Sequence, residues 1–156
     1  FYGDFVKLVA AGTLEKAAVT TAVVAGTVGI FVGCSYTDPS TSQMTFNQQF
    51  PADTAASDIM AYVVDDPKLV FKMQADEAVA QTGLGNNISA VSTAGSTSIG
   101  RSKNALDGGS IATTNSLPLR VLEFVEGPSS TVGDAYTDCL VTYLPLSHAY
   151  ETKLGV

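Results

Sequence analysis

The chain has 156 residues, 46% of them hydrophobic and only 15% charged, with 8 Lys and Arg against 15 Asp and Glu for a net charge of −7. That length suits one domain with a real core. The acidity, and basic residues scattered with no run among them, argue against nucleic acid as a partner; the scarcity of charge leaves a surface of Ser, Thr, Asn, Gly and Ala, or apolar surface that a partner covers.

In chain order, strand signals dominate. Residues 5–9 form a short β run, Gly12-Thr13 a turn and residues 14–19 a returning strand, which together predict an N-terminal hairpin. A helical turn over 14–18 is the alternative. The longest apolar stretch, residues 17–32, is interrupted by Thr20, Thr21, Gly26, Thr27 and Gly29 and falls short of a membrane-spanning helix, so no membrane partner is expected. No charged-then-apolar leader opens the chain; because it begins with Phe1 and not Met, a missing or removed leading segment stays open.

Residues 28–34, rich in β-branched and aromatic side chains, read as a buried strand in which Gly29 and Gly33 mark a bulge or a close backbone approach. Residues 36–49 are a polar excursion: Asp38-Pro39-Ser40 opens a turn, and Met44-Thr45-Phe46 is a short edge strand. Residues 53–58 suggest one helical turn capped by Asp53 or Thr54.

The strongest local pattern lies at 61–76. Asp65-Asp66-Pro67 is a corner, since Pro fixes its own φ and pushes the preceding residue to an extended shape. After it, Leu69, Phe71, Met73 and Ala75 alternate with Val70, Lys72, Gln74 and Asp76, a strand with one buried face. Before it, residues 59–64 are apolar on both faces and read as a strand buried on both sides. The two runs are the expected centre of the core.

Residues 83–109 are rich in Gly, Ser, Thr and Asn and are read as an ordered loop excursion, with short strands at 89–92 and 98–101. Strands return at 119–126 and 138–144. The fold expected is all-β, an antiparallel β-barrel or sandwich of seven to nine strands with long Ser/Thr/Gly-rich loops. A single β domain spans 1–146, and 147–156 form a C-terminal tail, mobile or used in assembly. The predicted core is Val28, Ile30, Val32, Val63, Leu69, Phe71, Val121, Phe124, Leu140 and Val141.

Chemistry-bearing residues are few. Cys34 and Cys139 lack metal-ligand spacing, sit in apolar runs and read as buried free thiols, with a single disulfide as the alternative. His148, the only histidine, lies in the tail and offers no Cys–His pair. Asp65-Asp66 and Asp134 with Asp138 read as turn chemistry rather than paired catalytic carboxylates, and Gly83-Leu84-Gly85 lacks the Lys and helix of a phosphate loop. No catalytic, cofactor or metal residues are assigned, and no enzyme is expected. Aromatics outside the main strands (Phe1, Tyr2, Tyr36, Phe46, Phe50 and Tyr150) form a possible contact surface. Phe1, Tyr2 and Tyr150, at the chain ends, are the protein-contact candidates.

Three stretches, YGDFVKLV; VGIFVGCSYTDPSTSQMTF followed by FPADT and AYVVDDPKLVFKMQAD; and LRVLEFVEGPSSTVGDAYTDCLVTYLPLSH, together resemble the head decoration (cement) proteins of tailed bacteriophages, particularly those of aquatic hosts. The resemblance spans nearly the whole chain and rests on the order of these elements. It implies a non-enzymatic virion protein, made in the host bacterial cytoplasm and bound to the capsid exterior over capsomer junctions. Its partners would be the major capsid protein and itself, as a symmetric trimer or dimer. It supplies no site residues. A tail- or fibre-associated β domain that binds a host receptor or glycan is the alternative.

Overall fold

The computed structural model describes residues 1–20 and 27–151. The chain is all-β, with two antiparallel sheets and, among the described residues, only two single-turn 3-10 helices, Gln81–Gly83 and Ala149–Glu151. The first sheet contains β1 (Phe5–Leu8), β2 (Leu14–Lys16), β3 (Thr27–Thr37), β4 (Met44–Asn47) and β5 (Met60–Val64); its order is β2-β1-β3-β4, with β5 on β3 as well. The second contains β6 (Val70–Gln74), β7 (Asn87–Val91), β8 (Ala105–Ala112), β9 (Leu119–Phe124) and β10 (Asp138–Tyr143), in the order β6-β10-β9-β7-β8. One parallel bridge, Ala75 to Leu106, brings the outer strands of the second sheet together, but no ladder closes there. Between barrel and sandwich, the arrangement is a sandwich with one strongly curled sheet.

The N-terminal hairpin forms as the sequence predicts. β1 and β2 pair antiparallel around a turn in which Gly12 takes φ +75°, a left-handed value that glycine adopts at no steric cost. Residues 17–19 then cross to the second sheet, where the Val19 carbonyl accepts from the Ala90 amide at 2.8 Å. Both interior glycines of β3 are close approaches. A Cβ on Gly29 would lie 2.0 Å from the Val64 carbonyl oxygen, and one on Gly33 3.0 Å from that of Asn47. β3 also slips register twice, against β1 between Val6 and Lys7 and against β5 between Phe31 and Gly33.

The segment 61–76 divides the molecule. The alternation after the corner holds: Phe71, Met73 and Ala75 face the core while Val70, Lys72 and Gln74 are exposed. Asp65-Asp66-Pro67 does form a corner, with the Asp66 carboxylate accepting from the Lys68 amide at 2.8 Å. The two runs do not form one central pair, however. β5 joins the first sheet and β6 the second, so the corner is a crossover between sheets. Nor is β5 buried on both sides; four of its five residues are exposed.

The main core lies between the sheets and within the curl of the second. Phe5, Val79, Ile88, Leu106, Leu119, Val121, Cys139 and Val141 fill it, with Ile30, Phe71 and Phe124 packed against it. Of the predicted core, Val28, Val121 and Val141 are fully buried, while Val32, Leu69 and Leu140 are only half-buried. Val63 serves a second cluster on the outer face of the first sheet, formed by Val6, Phe31, Cys34 and Tyr36.

Two further expectations are corrected, and a third is borne out in part. Residues 53–58 form no helical turn; Thr54 instead donates from its hydroxyl to the Pro51 carbonyl. Residues 98–100 are a turn and Arg101 makes only isolated bridges, so no strand forms there. Within the ordered excursion at 83–109, the strand predicted at 89–92 forms as the end of β7, whereas the first half of β8 was not foreseen; Ile88, Ala90 and Leu106 are buried there. Of the tail 147–156, Ser147 and His148 are buried in the fold, whereas 152–156 lie outside the described residues, as do 21–26 of the apolar stretch. No described helix is long and apolar enough to cross a membrane.

Candidate functional site

The first sheet extends beyond the cover that the second gives it. Directly paired residues in a sheet point their side chains to the same face. Phe5 pairs with Ile30 and Ile30 with Val64, and this face meets the core at Phe5 and Ile30. Farther along β3, after the register slip, Ser35 pairs with both Phe46 and Met60, Thr37 with Met44, and Gly33 with Tyr62. The Tyr62 and Ser35 hydroxyls, 2.9 Å apart, place those two side chains on one side. Here the face is bare: Met44 is 64% exposed, Phe46 70%, Met60 62% and Tyr62 44%, while the small Ser35 is buried among them. An uncharged patch with two methionines and two aromatic rings on an ordered sheet is the kind of surface that marks a contact site.

The opposite face of the same strands is covered only in part. Tyr36 packs edge-on against Phe50, with ring centroids 6.2 Å apart, and its hydroxyl accepts from the Asn47 amide at 2.8 Å. Beside it runs a cleft of about 550 Å³, with Phe31, Cys34, Leu14, Ile59 and Ala61 among its walls. At one end lies the buried Asp4 carboxylate, which accepts from the Ser102 hydroxyl at 2.6 Å and pairs with Lys16 Nζ at 3.1 Å and the Phe1 amino nitrogen at 3.0 Å.

The three contact candidates do not form one surface. The Phe1 ring lies against Gly95, where a Cβ would fall 2.3 Å from it. Tyr2 bridges Arg101 through the backbone, with its side chain partly exposed. Tyr150 is exposed and donates from its hydroxyl to Asp65 at 3.0 Å, a bond that holds the phenol above its ordinary pKa. Of the wider aromatic set, Phe46 belongs to the bare face and Tyr36 is buried beneath the opposite one. The sequence reading missed Met44, Met60 and Tyr62. The signal was the run 59–64, apolar on both faces, which fits a sheet edge with one sticky face as well as a fully buried strand.

The groups with reactive chemistry are dispersed. Cys34 Sγ donates to the Asn47 and Gln49 carbonyls at 3.8 and 3.6 Å; burial raises its pKa, opposed by the N-terminal charge. Burial, with Asp138 beside it, pushes the Cys139 thiol up to about 11. His148 is wholly buried, its ring between those of Tyr143 and Tyr150 at 5.3 and 5.0 Å, and its Nδ1 accepts from the Tyr150 amide at 3.3 Å. Among the described residues no hydrogen bond joins a cysteine to His148, and no group of three or more His, Cys, Asp or Glu is arranged to hold a metal ion. Asp134 acts as turn chemistry, accepting from the Thr131 amide at 2.7 Å, and Asp138 pairs with Lys72 at 2.6 Å.

Two predictions arise here. Both cysteines are free and buried. Alkylation of the native protein at pH 8 is expected to leave Cys139 unmodified, whereas the denatured protein loses both thiols; rapid native modification of Cys139 would contradict its burial. Because its folded pKa lies above the ordinary 9.0, Cys139 supports the fold fully below about pH 9 and loses that contribution as pH rises towards about 11. The second concerns Tyr143, whose buried hydroxyl has no hydrogen-bond partner among the described residues, like Ser147 Oγ and His148 Nε2 nearby in sequence. Tyr143→Phe removes an unsatisfied polar group and keeps the ring packing, so urea unfolding should show stability unchanged or raised by about 1 kcal/mol. A clear loss would mean that the hydroxyl is satisfied.

Comparison with protein-family models, with curated proteins and with solved structures gave no match.

Proposed function

We propose that this protein is a non-enzymatic structural component of a phage virion, binding the outer surface of the capsid and stabilising capsomer junctions. The observation that carries the reading is the bare sheet face of Met44, Phe46, Met60 and Tyr62. A chain with so little charge places an uncharged apolar platform on rigid strands, which suits docking onto another protein. The phage-cement resemblance implies that this other protein is the major capsid protein, with a further copy of this chain as a second partner. Such a protein strengthens a shell by binding its assembled form and not the separated subunits, each tenfold in affinity contributing about 1.4 kcal/mol.

Co-sedimentation with expanded and unexpanded shells tests this. The parent should saturate expanded shells only. Phe46→Asp with Met60→Asp should abolish binding while leaving the melting temperature within a few degrees of the parent, since both side chains are exposed. Equal shell binding by the double variant would overturn the role of this face. No binding of the parent to shells, with saturable binding to host cells or glycans, would favour the receptor-binding alternative.

A further inference from the structure

β5 pairs with β3 on one side, and among the described residues its other edge has no strand beside it. Every second residue along such an edge turns an N–H and a C=O outward, a template for one more strand. Three of the other outer strands carry features that discourage pairing, and the fourth, β4, is uncharged like β5 but only four residues long. β2 is three residues long with Glu15 and Lys16, β6 carries Lys72, and β8 contains Gly108-Gly109 and is bridged back to Ala75. β5 has none of these. Residues 59–64 hold no charge, no proline and no glycine, and the register slip against β3 is taken up in β3, so β5 stays regular.

The flanks of this edge are acidic. Asp58 stands at its start, held by the Thr37 hydroxyl at 2.6 Å, and Asp65 and Asp66 at its end, with Lys68 just beyond. On one face lie Met60, Tyr62 and Val64; towards the other opens the cleft of about 550 Å³ bordered by Ile59 and Ala61. Backbone edge, acidic ends and an apolar recess beside them form the set that recognises an extended peptide: main-chain bonds give affinity, and recesses for alternate side chains give specificity.

We infer that the free edge of β5 accepts an added strand from an extended segment of a partner protein, apolar at its centre and basic at its ends, with one large apolar side chain entering the cleft. This rests on the contact-protein reading above and names the chemistry of its partner. The charge pattern selects a different chain over a second copy, because antiparallel pairing of two β5 strands centred on Tyr62 would set Asp58 of one copy against Asp66 of the other, and like charges directly opposed destabilise a strand pair.

The probe is a short labelled peptide of alternating Thr and Val with a central Leu and Lys at both ends, titrated against the full chain by fluorescence anisotropy and followed by amide hydrogen exchange. Binding should slow exchange at residues 60–64. N-methylation of alternate peptide amides should weaken binding by at least roughly tenfold, as loss of strand hydrogen bonds requires. Replacing both Lys by Glu should weaken it by a similar factor, and Asp65→Asn with Asp66→Asn should shrink that Lys-over-Glu preference. Equal binding of the N-methylated peptide, equal binding of the Glu peptide, or protection elsewhere in the chain would overturn the inference. So would concentration-dependent protection of 60–64 without peptide, which would assign the edge to a second copy. Shell binding without peptide binding sinks this inference alone; peptide binding without shell binding sinks the capsid reading alone.

Discussion

Phe5→Ala is expected to lower stability by about 3–5 kcal/mol, the range for emptying a buried aromatic site. Phe5 is 1% exposed, and its ring meets those of Phe71 and Tyr143 edge-on at 5.8 and 6.2 Å. It is the largest side chain with which the first sheet enters the main core; Ile30 is only half-buried, and Ala17 and Val19 are smaller. Its loss removes apolar burial and two edge-to-face contacts, each worth about 0.5–1.5 kcal/mol beyond area. Urea unfolding, with Phe46→Ala as a surface control within about 0.5 kcal/mol of the parent, measures the difference. Phe71→Ala should cost less than Phe5→Ala, because Phe71 is only half-buried. Equal values for Phe5 and Phe46 would mean that the sheets do not pack face to face through Phe5.

Gly29→Ala is expected to cost at least about 3 kcal/mol, the upper end for overpacking a close contact. A Cβ there would lie 2.0 Å from the Val64 carbonyl oxygen, 2.9 Å from its carbon and 3.0 Å from the Asp65 Cα. All three are backbone atoms at the entry to the crossover, so no side-chain rotation relieves the clash. The corner must move, carrying the end of β5 away from Ile30. Gly12→Ala is the comparison: it has open space but φ +75°, so only the conformational cost of about 1–2 kcal/mol applies. Fast amide exchange in β5 in the Gly29 variant, with β9 and β10 still protected, would locate the damage. A near-neutral result would mean that the two backbones are not in contact.

Much of the fold was legible because individual side chains announce their environment. The alternation after Pro67 gave the inward face of β6, and Gly29 and Gly33 marked close approaches that exist. Partnership was not legible. Nothing in the run 59–64 says which sheet receives it, and apolar residues on both faces fit burial as well as a bare platform. Polar burial also hid β8 and the start of β7. Asn87 and Ser89 are buried because Asn87 donates to the Thr114 carbonyl and accepts from Arg120, while Ser89 meets Ser110 and Asp107. Hydrophobic periodicity is blind to polar groups satisfied by residues distant in sequence. His148 was placed in a loose tail for a related reason: its burial depends on the rings of Tyr143 and Tyr150, and no composition rule reports that.

The crossover at Asp65-Asp66-Pro67 also fixes an order of events during synthesis. All five strands of the first sheet precede it, so that sheet is complete in the emerging chain before any strand of the second exists. Among the described strands, β6, the first to follow, pairs with β10 alone, the last of them, with Gln74 against Asp138. Phe5 therefore waits for its full cover, Phe71 and Tyr143, until β10 has been synthesised. Pairings so distant in sequence close slowly, and through that interval the nascent molecule shows both its future interior and the bare edge of β5. Crowded neighbouring chains at the same stage meet through those surfaces first. The yield of folded protein should thus depend on expression rate and temperature more steeply than its final stability would suggest.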